Sequence, residues 1–149
     1  LSPYRIKISG RTKHFINAFG EEVMVENADL AVAEACKATN AIVKDYTAAP
    51  VYLNGANKGG HEWLIEFEKE PYSLPAFVDI LDSTLRKVNS DYDAKRYKDI
   101  ALIKPLIHAV PTGTFYNWLK AKNKLGGQHK VPRLSNTRNY LEEIKLIID

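Results

Sequence analysis

The sequence predicts an α+β fold, a small, antiparallel-leaning mixed sheet flanked by helices. Three observations carry this. Tyr4–Ile8 and His61–Phe67 alternate apolar and polar side chains with the period of a half-buried strand. Phe77, Val78, Leu81, Leu85 and Val88 recur instead at helical spacing. The elements follow in the order ββαββααβαα, not in strict strand–helix alternation, which favours an antiparallel-leaning layout over a parallel one.

In chain order, Gly10 ends the first strand, and Phe15–Phe19 reads as a short second strand closed by Gly20. Asn27 or Asp29 can cap a helix running to about Val43, with an alanine-rich face that permits close packing. Tyr46–Leu53 is β-rich, and Pro50, lacking an N–H, assigns it to a sheet edge. Asn54–Gly60 is a turn that leads into the His61–Phe67 strand as a hairpin. Trp63, Ile65 and Phe67 fall on one face of that strand, and Glu62, Leu64 and Glu66 on the other. Ser73 starts the next helix, with Pro75 tolerated in its first turn. Asp91–Lys98 reads as a short polar helix or turn, and Leu106–Val110 as a further strand. Thr112 or Thr114 opens a helix through Trp118 to about Lys122. After a loop at Leu125–Leu134, Ser135 or Asn136 caps the last helix.

A chain of 149 residues suits one domain over residues 1–149 and buries about two-thirds of its unfolded surface. No apolar run approaches the roughly 18–20 residues of a membrane span. Cys36 is the single cysteine, so no internal disulfide forms, and a reducing cytoplasm is the expected compartment. Leu1-Ser2-Pro3-Tyr4 has neither an initiator Met nor an apolar signal core, and reads as a trimmed end. Net charge is +3, unevenly spread: residues 1–99 carry 13 Lys and Arg against 15 Asp and Glu. Residues 100–141 carry seven basic residues and no acid. That window points either to an anionic partner or to a solvated basic surface.

Two glycine-bounded basic segments stand out. In Ser9-Gly10-Arg11-Thr12-Lys13, followed by Phe15–Phe19 and Gly20-Glu21-Glu22, Arg11 and Lys13 sit in a tight turn able to hold an anion. From these residues alone, a β-hairpin with an exposed basic tip is the preferred reading. In Gly126-Gly127-Gln128-His129-Lys130-Val131-Pro132-Arg133, Lys130 is a long-stemmed point charge and Arg133 a planar fork, both suited to phosphate or carboxylate. The spacing is not that of a P-loop, and a solvated loop is the alternative. His61-Glu62-Trp63 lacks the second histidine of HExxH, so no metal site is expected. Trp63 reads as core, and His108, on an apolar strand, as a satisfied core histidine. Asp79 and Asp82 share a helix face without a partner suited to acid–base work.

Taken together, these segments resemble the adenylate-forming enzymes. Gly10-Arg11-Thr12-Lys13-His14-Phe15-Ile16-Asn17-Ala18-Phe19-Gly20-Glu21-Glu22 is similar to the hinge-proximal motif of one branch, the auxin-responsive promoter (Gretchen Hagen three) family of acyl-acid amido synthetases. His61-Glu62-Trp63, Asn89-Ser90-Asp91-Tyr92 with Lys95-Arg96, Gly113-Thr114-Phe115 before Trp118, and Gln128–Leu134 follow in the family's order. The resemblance spans roughly Tyr4 to Glu143. It implies the C-terminal mobile (lid) domain of an ATP- and Mg²⁺-dependent ligase, whose adenylation domain precedes it and is absent from this chain. In that enzyme a carboxylic acid is adenylated and an amine, usually that of an amino acid, captures the acyl group. Lys130 matches the lysine that reaches the nucleotide phosphate and acyl carboxylate. Arg11, Lys13, Gln128 and Arg133 fall in the motifs expected to contact the nucleotide, with interdomain contact the alternative for Arg11 and Lys13. The chain on its own is expected to be inactive and to bind no cofactor tightly. Its partners are its own adenylation domain and the two substrates, not a membrane. An anion- or nucleic-acid-binding module using residues 100–141, or a plain interaction domain, are the competing readings.

Overall fold

The computed structural model describes residues 15–53, 58–122 and 131–148; the strand expected at Tyr4–Ile8 lies outside them. Strand β1, Phe15–Ile16, pairs antiparallel with β2, Val23–Met24. β1 stops short of Phe19 because the chain must reverse before β2. It does so with Gly20 at φ 90° and Glu22 at φ 42°. Helix α1, Val25–Thr39, starts before the expected caps: Asn27 lies inside its first turn and its side chain reaches back to the Met24 amide at 3.0 Å. It ends before Val43 because Asn40 adopts a left-handed conformation, φ 58° and ψ 41°, which asparagine tolerates at a helix C-terminus.

Strands β3, Ile42–Tyr52, β4, Gly59–Lys69, and β5, Leu106–Val110, form a sheet in the order β3-β4-β5. β3 and β4 pair antiparallel and β4 and β5 parallel, so the sheet is mixed. Pro50 lies on an edge strand, as its missing N–H requires. Part of that edge is covered by the C-terminal segment: the Ala48 amide donates to the Arg133 carbonyl at 2.8 Å, and the Ser135 amide to the Ala48 carbonyl at 3.1 Å. Ser135 and Asn136 therefore cap no helix, and the last helix, α5, spans Asn139–Ile148.

Helix α2, Leu74–Val88, is capped by Ser73, whose hydroxyl accepts from the Ala76 amide. Helix α3, Ser90–Arg96, and a 3₁₀ turn at Tyr97–Asp99 follow; α4 is Thr114–Ala121. Trp63, Ile65 and Phe67 pack with Val32 of α1 and with Phe77, Leu81 and Leu85 of α2. On the opposite face, Leu64 packs with Phe115 and Trp118 of α4 and with Leu141 and Ile144 of α5. The architecture is α+β, with the mixed sheet between two helical layers.

Central placement buries β4 on both faces, although its sequence alternates like a half-exposed strand. Its polar residues therefore need internal partners. Glu66 accepts the amides of Gly113 at 2.8 Å and Phe115 at 3.1 Å, capping α4 with a carboxylate. Glu62 accepts from Arg138 and His108 at 2.8 Å each and from Lys145 at 3.0 Å. His108 is thus no core histidine: its side chain is half exposed and reaches across from β5 to Glu62. Asp82 also has partners. It receives a two-pronged contact from Arg96 at 2.8 and 2.7 Å and the Tyr92 hydroxyl at 2.7 Å, while the exposed Asp79 meets Lys104.

Burial alone would raise the Glu62 carboxyl, but hydrogen bonds from Arg138, Lys145 and His108 outweigh it and hold it at about 2, below the ordinary 4.5. A depressed carboxyl contributes stability that is complete above its ordinary value and is lost as pH falls from there through the folded value. Glu62→Gln is expected to lower stability by about 2–3 kcal/mol near neutral pH. It should also remove the part of the acid destabilisation that falls between 4.5 and about 2. Urea unfolding followed across that range in both proteins checks this; parallel pH profiles would refute it.

Candidate functional site

The turn between β1 and β2 is held from inside. Glu21 follows Gly20 and is fully buried. Its Oε1 accepts the Phe19 amide at 2.6 Å, and its Oε2 lies 2.6 Å from Nε2 of His61 on β4. Burial pushes the Glu21 carboxyl up, yet the hydrogen bond and charge of His61, with the turn's own amides, bring it below the ordinary range. The carboxylate is therefore the form held, and Nε2–H of His61 is its donor. His61 Nδ1 is buried without a hydrogen-bond partner among the described residues, and the imidazole lies against the Tyr92 ring at 5.8 Å. Gly20 is favoured here by its φ of 90°, a conformation that L side chains rarely adopt.

The same turn meets the C-terminal segment. Asn17 Oδ1 accepts the Glu22 amide at 3.1 Å, and the Asn17 amide donates to Asn136 Oδ1 at 2.7 Å. The residues that follow the first basic segment are thereby joined to those that follow the second. Arg133 lies earlier in the same segment. Its Nη1 contacts both oxygens of Asp29 on α1 at 3.1 and 3.2 Å, and its guanidinium lies 5.6 Å from the Tyr46 ring. The Tyr46 hydroxyl donates to Asp29 at 2.6 Å. Burial, then the hydrogen bond and charge of Asp29, raise the Tyr46 phenol above its ordinary value, so it stays a donor. These residues border an open depression of about 290 Å³ between α1 and the start of β3, also lined by Val32, Cys36 and Val43.

Of the residues expected to form the site, Lys130, Arg11, Lys13 and Gln128 lie outside the described residues. Arg133 lies within them, with one arm engaged by Asp29. The sequence reading missed Glu21, Asn17, Asn136 and the role of Asp29 as an ion-pair partner. One signal was available: His61 shares the apolar face of Trp63, Ile65 and Phe67, and a histidine there needs a buried polar partner. The acid-free window also changes meaning in three dimensions. Of its five described basic residues, four face carboxylates from other parts of the chain: Lys104 with Asp79, Lys122 with Glu143, Arg133 with Asp29, and Arg138 with Glu62.

Comparison with known proteins agrees with this architecture. No curated protein sequence matches the chain. Among solved structures, a GH3.15 acyl acid amido synthetase superposes with a TM-score of 0.70 at 15% identity, covering 90% of this chain and 25% of that one. A second, AtGH3.15 acyl acid amido synthetase in complex with 2,4-DB, gives a TM-score of 0.67 at 16% identity and covers 92% of this chain and 26% of its own. At such identities these structures share the fold, and the present chain spans about a quarter of their length. The model of the GH3 family C-terminal domain matches residues 26–139, most of the chain, and on that match the chain belongs to the GH3 family, corresponding to its C-terminal domain.

Proposed function

We propose that residues 1–149 act as the mobile C-terminal domain of an acyl-acid amido synthetase. In the reaction, a carboxylate oxygen attacks the α-phosphate of ATP, pyrophosphate leaves, and the amine of an amino acid displaces AMP from the acyl-adenylate. The observation that carries this reading is the junction of the two basic segments. The Asn17–Asn136 hydrogen bond at 2.7 Å joins their described flanks within a GH3 C-terminal fold. Arg11 and Lys13 precede one flank, and Gln128 and Lys130 precede the other. In this reading, side chains from both segments address one anionic ligand, the nucleotide. Lys130 neutralises charge that develops as pyrophosphate departs. Arg133, held to Asp29 through one Nη, offers its remaining donors to the same ligand. Gln128 supplies an amide.

Mg²⁺ would screen the phosphates when bound. Among the described residues no group of three His, Cys, Asp or Glu side chains is placed to hold a metal. In this reading the ligands of the ion belong to the adenylation domain. That domain and the two substrates are the partners in this reading, and the compartment is the cytoplasm. No helix among the described residues is long and apolar enough to cross a membrane. The ion pairs made by four of the five described basic residues of the 100–141 window weigh against a nucleic-acid surface, which needs uncommitted cations.

Lys130→Ala, in the protein carrying its adenylation domain, is expected to slow acyl-adenylate formation on the order of 10²–10³-fold. Capture of a supplied acyl-adenylate by the amine should suffer less, because pyrophosphate has already left. Single-turnover kinetics of both half-reactions separate the two; equal loss in both, or none in either, removes Lys130 from this role.

Binding to duplex or single-stranded nucleic acid is expected to be no tighter than the non-specific range, about 10⁻⁴–10⁻⁶ M at physiological salt, and to weaken as salt rises. A fluorescence-anisotropy titration returning sub-micromolar affinity would favour the nucleic-acid reading instead.

A further inference from the structure

We propose that the Asn17–Glu22 turn is a joint that sets the Val131–Asn136 segment in place for the adenylation step, with Asn136 as its positioning residue. The inference deepens the function proposed above and rests on it.

The joint is anchored at the centre of the sheet. His61 and Glu21 side chains are 1% and 0% exposed, so the pair is removed from water on both sides. Burying such a pair carries a desolvation penalty that hydrogen bonding must offset. Here the offset is incomplete, because His61 Nδ1 has no partner among the described residues. What the pair secures is a surface turn. Glu21 Oε1 holds the Phe19 amide, and Gly20 and Glu22 both adopt positive φ. Asn89 of the α2–α3 junction donates its Nδ2 to the Glu22 carbonyl at 2.9 Å. Asn17 closes the turn on itself through the Glu22 amide.

With the turn fixed on every side, the Asn17 amide presents one donor in a defined place, and Asn136 Oδ1 takes it across 119 residues of sequence. Asn136 is exposed and lies outside both hydrophobic clusters. The segment it belongs to is already attached to β3 by two backbone hydrogen bonds around Ala48 and to α1 by Arg133–Asp29. A further bond to the β1–β2 turn adds little to attachment. It fixes the segment's placement relative to the N-terminal side, a distinction that matters if groups from both sides meet one ligand. A displacement of about 1 Å in such an arrangement can lower a rate a hundredfold.

The test compares Asn136→Ala with Asn136→Asp in the protein carrying its adenylation domain, with Lys130→Ala alongside. Asn136→Asp keeps an oxygen acceptor at the same place, whereas Asn136→Ala removes it. Loss of one neutral hydrogen bond corresponds to about a five- to tenfold effect. Asn136→Ala should slow acyl-adenylate formation by at least that factor, spare capture of a supplied acyl-adenylate, and speed hydrogen exchange of the Asn17 amide to a similar degree. Asn136→Asp should restore all three readouts. Equal slowing of both half-reactions, or no rescue by Asn136→Asp, would mark a merely structural residue and overturn the proposal. If Lys130→Ala slows adenylation and Asn136→Ala does not, the joint is overturned while the adenylation reading stands. If neither variant slows adenylation, both are overturned.

Discussion

Strand β4 lies at the centre of the sheet, with helices over both faces, yet it carries His61, Glu62 and Glu66. Polar groups in such a position are tolerated only when they are paired. The pairing partners come from different parts of the chain. His61 takes Glu21 from the β1–β2 turn. Glu62 takes Arg138 and Lys145 from the C-terminal region and His108 from β5. Glu66 takes the N-terminal amides of α4. Each contact fixes the position of an element that hydrophobic packing alone would leave free to slide. The apolar side chains of β4 provide cohesion on both faces, and its charged side chains provide register.

The two faces are used differently. Toward α1 and α2 the contacts are mainly apolar, with small residues at Ala28, Ala31 and Ala35 letting the helix lie close. Toward α4 and α5, apolar packing is joined by charged contacts, and the Glu62 network ties three elements through one carboxylate. Asp82, Tyr92 and Arg96 make a comparable buried cluster on the α1–α2 side, where the Tyr92 ring meets His61 of β4. From it, Arg96 also reaches the Leu102 carbonyl and so orients the link into β5. Desolvation makes each such cluster nearly all-or-none: losing one member strands the rest.

This arrangement bears on function through geometry. The segment containing Arg133 and Asn136 is attached to β3, to α1 and to the β1–β2 turn, three elements distant from it in sequence. In the function proposed above, groups from two separate segments meet one ligand, and that requires a common frame of this kind. The frame consists of directional hydrogen bonds, which specify position more sharply than apolar contact does.

Much of the architecture was legible in residue pattern. The helical period from Phe77 to Val88, the alternation across His61–Phe67, the Ser73 cap and the edge placement of Pro50 are local signals, and local backbone physics enforces them. The ordered motifs similarly carried the family, because they lie within the matched residues or beside them. Element ends were less legible. Asn40 ended α1 and Asn27 started it from within, since asparagine serves a cap, a turn or a left-handed residue equally well. What only the tertiary structure decided was the pairing of charge. Seven basic residues without an acid read as a positive stretch along the chain, yet Asp29, Glu62, Asp79 and Glu143 meet four of them in space. Whether a strand is covered on one face or two, and which carboxylate meets which cation, depends on contacts tens of residues apart. Neither composition nor periodicity encodes those contacts, because both report only on neighbours along the chain.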